Sequence, residues 1–217
     1  MTSPKSTGRL VGVLFALTFV TGIAAVVLYT DDPRGVSDTR LAFGAVIEVL
    51  LIAANLGTAL ALFPLLRRRQ EALALSYVAA RVVECTFIAV GLLALLAMTD
   101  ARGDGAVADA LVAIKDWTFL LGPNFVVGLG NGLLLGVLLY RSGLVPRQMA
   151  LVGIFGGPVL TLAAAATVVG VFDSMPSIAA APEIVWEGFL AIYLTVNGFK
   201  AAAVASDRAP MVPAVAV

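Results

Sequence analysis

The chain has 217 residues, 60% of them hydrophobic, and its mean hydropathy is +1.01. Soluble domains are usually about 45–50% apolar, so this composition predicts an integral membrane protein. The formal net charge is zero, histidine is absent and Cys85 is the single cysteine. This composition excludes a disulfide framework within the chain and argues against a zinc site and against a histidine- or cysteine-based hydrolase.

Six apolar runs follow one another along the chain, and each is long enough to cross a membrane at roughly 20 residues per span. The first run is longer than a signal-peptide core, so we expect it to be retained. We predict an all-α, six-helix transmembrane bundle forming a single domain over residues 1–206, with a flexible tail at 207–217. The predicted spans are residues 10–30, 42–66, 71–98, 117–140, 149–172 and 182–204.

The basic residues in the predicted loops are unevenly distributed between the two sides. Nine lie on the side of the termini and four, Arg34, Arg40, Arg102 and Lys115, lie on the other. Because basic loops tend to stay cytoplasmic, we expect both termini in the cytoplasm. The tight turn at residues 67–70 predicts that the second and third helices are antiparallel neighbours, and residues 106–115 predict a short amphipathic helix on the outer surface. No long basic arm exists, which argues against a nucleic-acid partner.

Three glutamates, Glu48, Glu84 and Glu187, lie within the predicted spans. A carboxylate inside a membrane is costly unless it is paired, hydrated or protonated, so each is a candidate functional residue. Arg81 lies three residues before Glu84 on the same helical face and could simply neutralise it. Glu48 has no cation in its own helix, and Glu183, near the outer interface, is expected to be solvated.

Helix periodicity and depth place several further side chains between the outer face and the membrane midplane. We expect the polar groups to share an inward-facing pocket with aromatic walls. The asparagines could instead be interhelical hydrogen-bonding groups. The candidate lining residues are Asn55, Asn124, Trp186, Tyr193, Phe125 and Tyr77.

Gly128, Gly132 and Gly136 form a stripe of small residues at four-residue spacing on the fourth helix. Such a stripe allows another helix to approach closely. It serves either packing within the chain or formation of a homo-oligomer.

Four stretches of sequence carry a family resemblance: residues 13–22, residues 77–84 with Tyr77, Arg81 and Glu84, residues 140–147, and residues 187–198 with Glu187. Together they resemble a large bacterial family of small multi-spanning proteins described only as a domain of unknown function. The resemblance covers nearly the whole chain and implies a fold and a bacterial plasma-membrane location, but no activity. In size, span number and acidic residues the chain is also similar to small bacterial membrane-bound terpene cyclases of the drimentine type.

These features predict a metal-independent, cofactor-free cyclase of a lipophilic isoprenoid substrate, embedded in membrane lipid. A buried carboxylic acid can stay neutral until it donates its proton, and aromatic faces stabilise a carbocation. In this hypothesis Glu48 is the proton donor, Glu84 oriented by Arg81 is the alternative donor, and Glu187 is a base or orienting group. Asn55 and Asn124 would position the substrate. Two alternatives stay open: a proton-coupled or small-molecule transporter, and a noncatalytic lipid-binding or structural membrane protein.

Overall fold

A computed structural model describes residues 4–29, 33–101 and 103–200, and these residues contain no strand. Six helices are long and apolar enough to span a membrane, which confirms the predicted all-α bundle. They are α1 (Pro4–Tyr29), α2 (Asp38–Arg68), α3 (Gln70–Asp100), α4 (Gly105–Ser142), α5 (Arg147–Val168) and α6 (Ala181–Asn197). Short 3-10 helices, Pro33–Gly35 and Ser177–Ala180, precede α2 and α6. The predicted tail and residues 201–204 of the sixth span lie outside the described residues.

Helices α2 and α3 form a hairpin whose bend is at Gln70. Helical geometry runs through residues 38–100 except at Gln70, where φ is −147° and ψ is 67°. Asn55 of α2 donates to Glu84 of α3 at 2.9 Å, and the Cys85 thiol contacts the carbonyl of Ile52 at 3.8 Å. These pairs show that the two helices run antiparallel, as the short connection predicted.

The prediction of a separate surface helix at residues 106–115 is wrong. Asp104 caps a helix by accepting hydrogen bonds from the amides of Ala106 and Val107, and this helix continues without a loop into the fourth span. It ends at Gly143, whose φ of 65° terminates the helix in the left-handed conformation. Lys115 indicated a loop in the sequence, but its charge is paired within the bundle, so it need not lie outside the membrane. Lys115 therefore does not belong among the four basic loop residues counted on the side opposite the termini.

The middle of α4 is wound as a π-helix over Leu120–Val126 and Gly128–Leu134. Pro123 has no N–H to give to the carbonyl of Phe119, and the side-chain amide of Asn124 donates to that carbonyl instead, at 3.0 Å. Further along, the amide of Leu135 donates to Gly130, five residues back. The side-chain amide of Asn124 thus replaces a backbone donor in a segment where the ordinary α-helical hydrogen-bond pattern is lost.

Close backbone contacts join four of the six helices into two pairs, α4 with α5 and α1 with α6. In the α4–α5 seam, a methyl group added at Gly136 would lie 2.9 Å from the amide nitrogen of Ile154. In the α1–α6 seam, a methyl group at Gly12 would lie 2.6 Å from the backbone of Leu194. Gly128, Gly132 and Gly136 are all buried against α5, so the glycine stripe packs within the chain and is not exposed for self-association.

Both ends of the described chain lie at one face of the bundle, called here the terminal end. The amide of Lys200 donates to the carbonyl of Leu144 at 3.1 Å, and Gly198 packs against Lys5. The main hydrophobic core fills this half, and a smaller cluster lies at the opposite loop end. The largest core side chains include Phe15, Leu62, Leu66, Leu135, Leu138, Leu139 and Leu190, and the loop-end cluster includes Val36, Leu41, Leu95 and Met98.

Candidate functional site

Above the core, Asn55, Arg81 and Glu84 close a ring of hydrogen bonds between α2 and α3. Arg81 Nη1 donates to Glu84 Oε2 at 2.7 Å, Arg81 Nη2 donates to Asn55 Oδ1 at 2.5 Å, and Asn55 Nδ2 donates to Glu84 Oε1 at 2.9 Å. All three side chains are buried. The expected Arg81–Glu84 pair is therefore present, and Asn55 is the third member that links it to the neighbouring helix.

Asn131 in the π-helical part of α4 connects three helices. The hydroxyl of Tyr77 donates to Asn131 Oδ1 at 3.3 Å, and Asn131 Nδ2 donates to the carboxylate of Glu187. The indole N–H of Trp186 donates to the backbone carbonyl of Asn131 at 3.0 Å. The amide of Leu135, four residues later, donates to Gly130 and Gly132 rather than to this carbonyl. Asn131 thus fixes the position of Glu187 relative to α3 and α4.

Glu183 is buried, and the prediction that it is solvated is wrong. Its side chain is 4% exposed and lies against Gly132, where an added methyl group would be 2.6 Å from Glu183 Oε2. The sequence places Glu183 in the first turn of the sixth helix, which suggested an exposed interface position. Instead α4 and α5 pack across this turn. Neither carboxylate oxygen has a hydrogen-bond partner among the described residues.

These groups line one cavity of about 170 Å³, called here the inner cavity. It brings together the predicted residues Asn55, Asn124, Glu84, Arg81 and Glu187 and adds Glu183. Three carboxyl groups therefore share the cavity with a single guanidinium. Its apolar lining includes Gly22, Leu51, Ile88, Val127, Leu160 and Ile184.

Glu48 lies in an adjoining outer cavity of about 240 Å³, nearer the loop end. Lys115 Nζ lies 2.5 Å from Glu48 Oε1, while Glu48 Oε2 has no hydrogen-bond partner among the described residues. The sequence left Glu48 without a partner because Lys115 is 67 residues away and was assigned to a loop.

Four residues, Gly22, Leu51, Ile88 and Pro123, line both the inner and the outer cavity and form an apolar wall between them. The rim of the outer cavity includes the exposed residues Val26, Asp116 and Phe119.

The predicted aromatic walls are not where the sequence suggested. Trp186, Tyr193, Phe125 and Tyr77 line neither of the two cavities. Trp186 and Tyr77 are fully buried and hold Asn131, and Tyr193 stacks on Phe189 with ring centroids 5.0 Å apart. Phe125 contributes its carbonyl, which accepts a hydrogen bond from Thr161 at 3.0 Å. These aromatic residues therefore lie outside both cavity linings, and Trp186 and Tyr77 act by positioning Asn131.

Sequence reasoning missed two residues of this site, Lys115 and Glu183. It placed Asn131 among the polar groups of the fourth helix but not among the candidate lining residues. Asn131 follows Asn124 by seven residues on one stripe of the helix, and this spacing was the available signal for it. Glu183 precedes Glu187 by four residues, which places both carboxyl groups on one helical face. No pattern in the sequence joins Lys115 to Glu48.

The described residues contain no group of three or more acidic, histidine or cysteine side chains arranged to hold a metal ion. The carboxyl groups of the inner cavity share it with two amides and with apolar side chains. The arrangement can accept protons or a compact cation.

Residues 10–198 match the family described as "Domain of unknown function (DUF4386)". The chain belongs to this family. The match spans all six helices, so in this DUF4386 protein both cavities and every site residue described above fall within the family's domain. No curated protein and no solved structure shows significant similarity to it.

Proposed function

We propose that this DUF4386 protein is a proton-coupled membrane carrier whose inner cavity binds and releases protons. The observation that carries the proposal is the ratio of three carboxyl groups to one guanidinium in a cavity within the membrane-spanning bundle. Arg81 is already bound to Glu84. Glu183 and Glu187 therefore need another positive charge.

The physical cost of uncompensated charge supports this proposal. A buried ion without a partner costs several kcal/mol in low-dielectric surroundings. Glu183 and Glu187 are four residues apart on one helix, where like charges also repel each other. Binding a proton or a cation removes both penalties, and losing it restores them, so the occupancy of the cavity is coupled to its electrostatic energy.

The carrier hypothesis requires a route through the apolar wall that the two cavities share. The inner cavity adjoins the outer cavity through a shared apolar wall, and the outer cavity reaches the surface near the loop end. The Glu48–Lys115 pair lies along this route. In the carrier hypothesis the pair provides polar groups between the surface and the inner carboxylates.

Proton binding can be measured on purified protein reconstituted into a solid-supported membrane. A rapid change of pH should displace charge transiently, even without a transported solute, because Glu183 and Glu187 take up or release protons. The double variant Glu183→Gln/Glu187→Gln should lose most of this displacement. Glu71→Gln is the matched control, since Glu71 is exposed outside the cavities, and it should retain the full signal. A wild-type protein without charge displacement, or a double variant with an unchanged one, would contradict the proposal.

The isoprenoid cyclase is a second candidate, favoured by one observation. Glu48 Oε2 is buried without a hydrogen bond among the described residues, beside a cavity lined largely by apolar side chains. Two features weigh against it: Lys115 favours the ionised form of Glu48, which carries no proton to donate, and the predicted aromatic residues line neither cavity. Incubating membranes with linear isoprenoids tests it, and Glu48→Gln should abolish any product while leaving the protein level unchanged.

A further inference from the structure

We infer that the inner cavity binds a compact organic ammonium ion, with the carboxylate of Glu183 as its counter-ion. The inference rests on the proposed carrier function and names the class of solute that is exchanged for protons. It is carried by an acidic side chain that is buried, lines a cavity and has no hydrogen-bond partner within the described part of the chain.

The environment of Glu183 is unlike that of the other acids. Glu84 accepts hydrogen bonds from Arg81 and Asn55, and Glu187 accepts one from Asn131. Glu183 is 4% exposed, and neither of its oxygens has a hydrogen-bond partner among the described residues. A native buried polar group left without a partner needs an explanation, and a bound ligand that donates to it supplies one.

The charged groups around Glu183 favour a cation as that ligand. Glu187 on the same helix repels its negative charge, as does Glu84 on α3. Arg81, the one basic residue in the cavity lining, attracts it but is already bound to Glu84. The lining contributed by α1, α4 and α5, including Thr18, Asn124 and Leu160, carries no charge. An added monovalent cation would reduce the excess of negative charge without breaking the Arg81–Glu84 pair.

The walls favour an organic cation over a metal ion. Ca²⁺ takes six to eight oxygen ligands and Mg²⁺ about six, and no such group of acidic side chains occurs among the described residues. The side chains of Val127, Leu160 and Ile184 instead offer apolar surface to an alkyl group. A volume of about 170 Å³ equals about six water molecules at roughly 30 Å³ each, which suits a molecule of a few heavy atoms.

An apolar route leads to this position. Gly12 of α1 is in tight backbone contact with α6, whereas an added methyl group at Gly22, three turns later, would meet nothing within 4 Å. Gly22 of α1 and Ile184 of α6 both line the inner cavity, so the cavity lies between these parts of the two helices. An alkylammonium ion can enter here with its apolar part against the helix faces.

Tryptophan fluorescence can test binding because the chain contains two tryptophans. Trp117 is exposed, and Trp186 is buried beside Asn131. In a Trp117→Phe background, Trp186 alone reports on the site. Propylammonium should produce a saturable change in fluorescence, and 1-propanol, which matches it in size but lacks the charge, should not.

The variant Glu183→Gln should weaken propylammonium binding at least tenfold, whereas Glu71→Gln should leave it unchanged. Glu183→Asp keeps the charge and tests the same point if the glutamine variant does not fold: it should bind, but more weakly than wild type. Tetrabutylammonium, which is too large for the cavity, should not compete. Equal responses to propylammonium and 1-propanol, or undiminished binding by Glu183→Gln, would overturn the inference. Charge displacement without propylammonium binding would overturn it while leaving the proposed proton-coupled carrier intact.

Discussion

At the scale of single residues, the ring of Asn55, Arg81 and Glu84 explains how a guanidinium can be buried inside an apolar bundle. Two of the guanidinium nitrogens and both carboxylate oxygens have partners within the ring. Each partner is needed, because an ion that loses its counter-charge in such surroundings keeps its desolvation cost. The ring is therefore stable only when Asn55, Arg81 and Glu84 are all present.

Replacing Glu84 by methionine should destabilise the protein by roughly 3–5 kcal/mol, because Arg81 would stay buried without its counter-ion. Adding Arg81→Met in the same chain should recover at least half of the loss, since the double variant leaves neither member of the pair buried without its counter-ion. Thermal or denaturant unfolding of the detergent-solubilised proteins measures both effects. A double variant less stable than Glu84→Met would show that the pair contributes more than charge neutralisation.

The Glu48–Lys115 pair should behave differently from an ion pair at the surface. Lys115→Met leaves Glu48, which is 5% exposed, without its counter-ion, and should cost more than 2 kcal/mol. Asp109→Asn disrupts the Arg34–Asp109 pair, whose side chains are 50% and 60% exposed, and should cost less than about 1 kcal/mol because solvent screens it. Similar melting temperatures for the two variants would show that Glu48 is hydrated rather than dependent on Lys115.

At the scale of the helices, the π-helical winding of α4 follows from Pro123 and the glycines around it. Asn124→Leu should destabilise the protein by about 1–3 kcal/mol, because the carbonyl of Phe119 loses its donor. Adding Pro123→Ala restores a backbone N–H four residues after Phe119 and should recover part of that loss. Unfolding measurements on the two single variants and the double variant test this. Independent, additive effects would contradict the compensation.

The α4–α5 seam makes a second prediction at this scale. Gly132→Ala introduces a methyl group 2.6 Å from Glu183 Oε2 and in contact with α5, and should destabilise the protein by about 1–3 kcal/mol. Gly188→Ala is the matched control in another helix, since its methyl group would meet only Phe19, at 4.0 Å. That control should be neutral or stabilising because alanine favours the helix over glycine. Thermal unfolding compares the two, and a Gly132→Ala protein as stable as the control would show that the helices can separate freely.

At the scale of the whole molecule, one half is filled and the other contains the cavities. The terminal half holds the main core, and the outer cavity opens toward the loop end. In a Cys85→Ala background, a cysteine at Ala25, which lines the outer cavity, should react with a small cationic thiosulfonate reagent at least tenfold faster than one at Ala59 in the core. Equal rates at the two positions would show that both halves are equally accessible.

The bundle could be predicted from the sequence because each span is a long apolar run. The backbone N–H and C=O groups of such a run form their hydrogen bonds within its own helix. The Arg81–Glu84 pair could also be predicted, since both residues lie on one face of one helix. The length of α4 could not. Its first half carries Lys115 and Asp116, which indicate a loop until the position of Glu48 is known.

The site was predicted where depth along a helix decides which side chains come together. Asn55, Glu84 and Glu187 were placed in one cavity by depth along their helices, and the structure brings them together. Glu48 lies on nearly the same face of α2 as Asn55, but two turns nearer the loop end, where it lines the outer cavity instead. The burial of Glu183 depends on Gly132 and Gly156, which let α4 and α5 cover the first turn of α6. Contacts between distant helices of this kind leave no periodic signal in a single sequence.

The two glycine seams divide the bundle into pieces that differ in how they can move. Backbones in direct contact interlock, so α4 and α5 should rotate as one rigid body, and α1 and α6 as another. The inner cavity lies where these bodies meet, with Glu183 and Glu187 on one and Asn131 and Leu160 on the other. A small change in the angle between the bodies would therefore alter the distance between the acids and their amide partner, while each helix pair keeps its internal contacts.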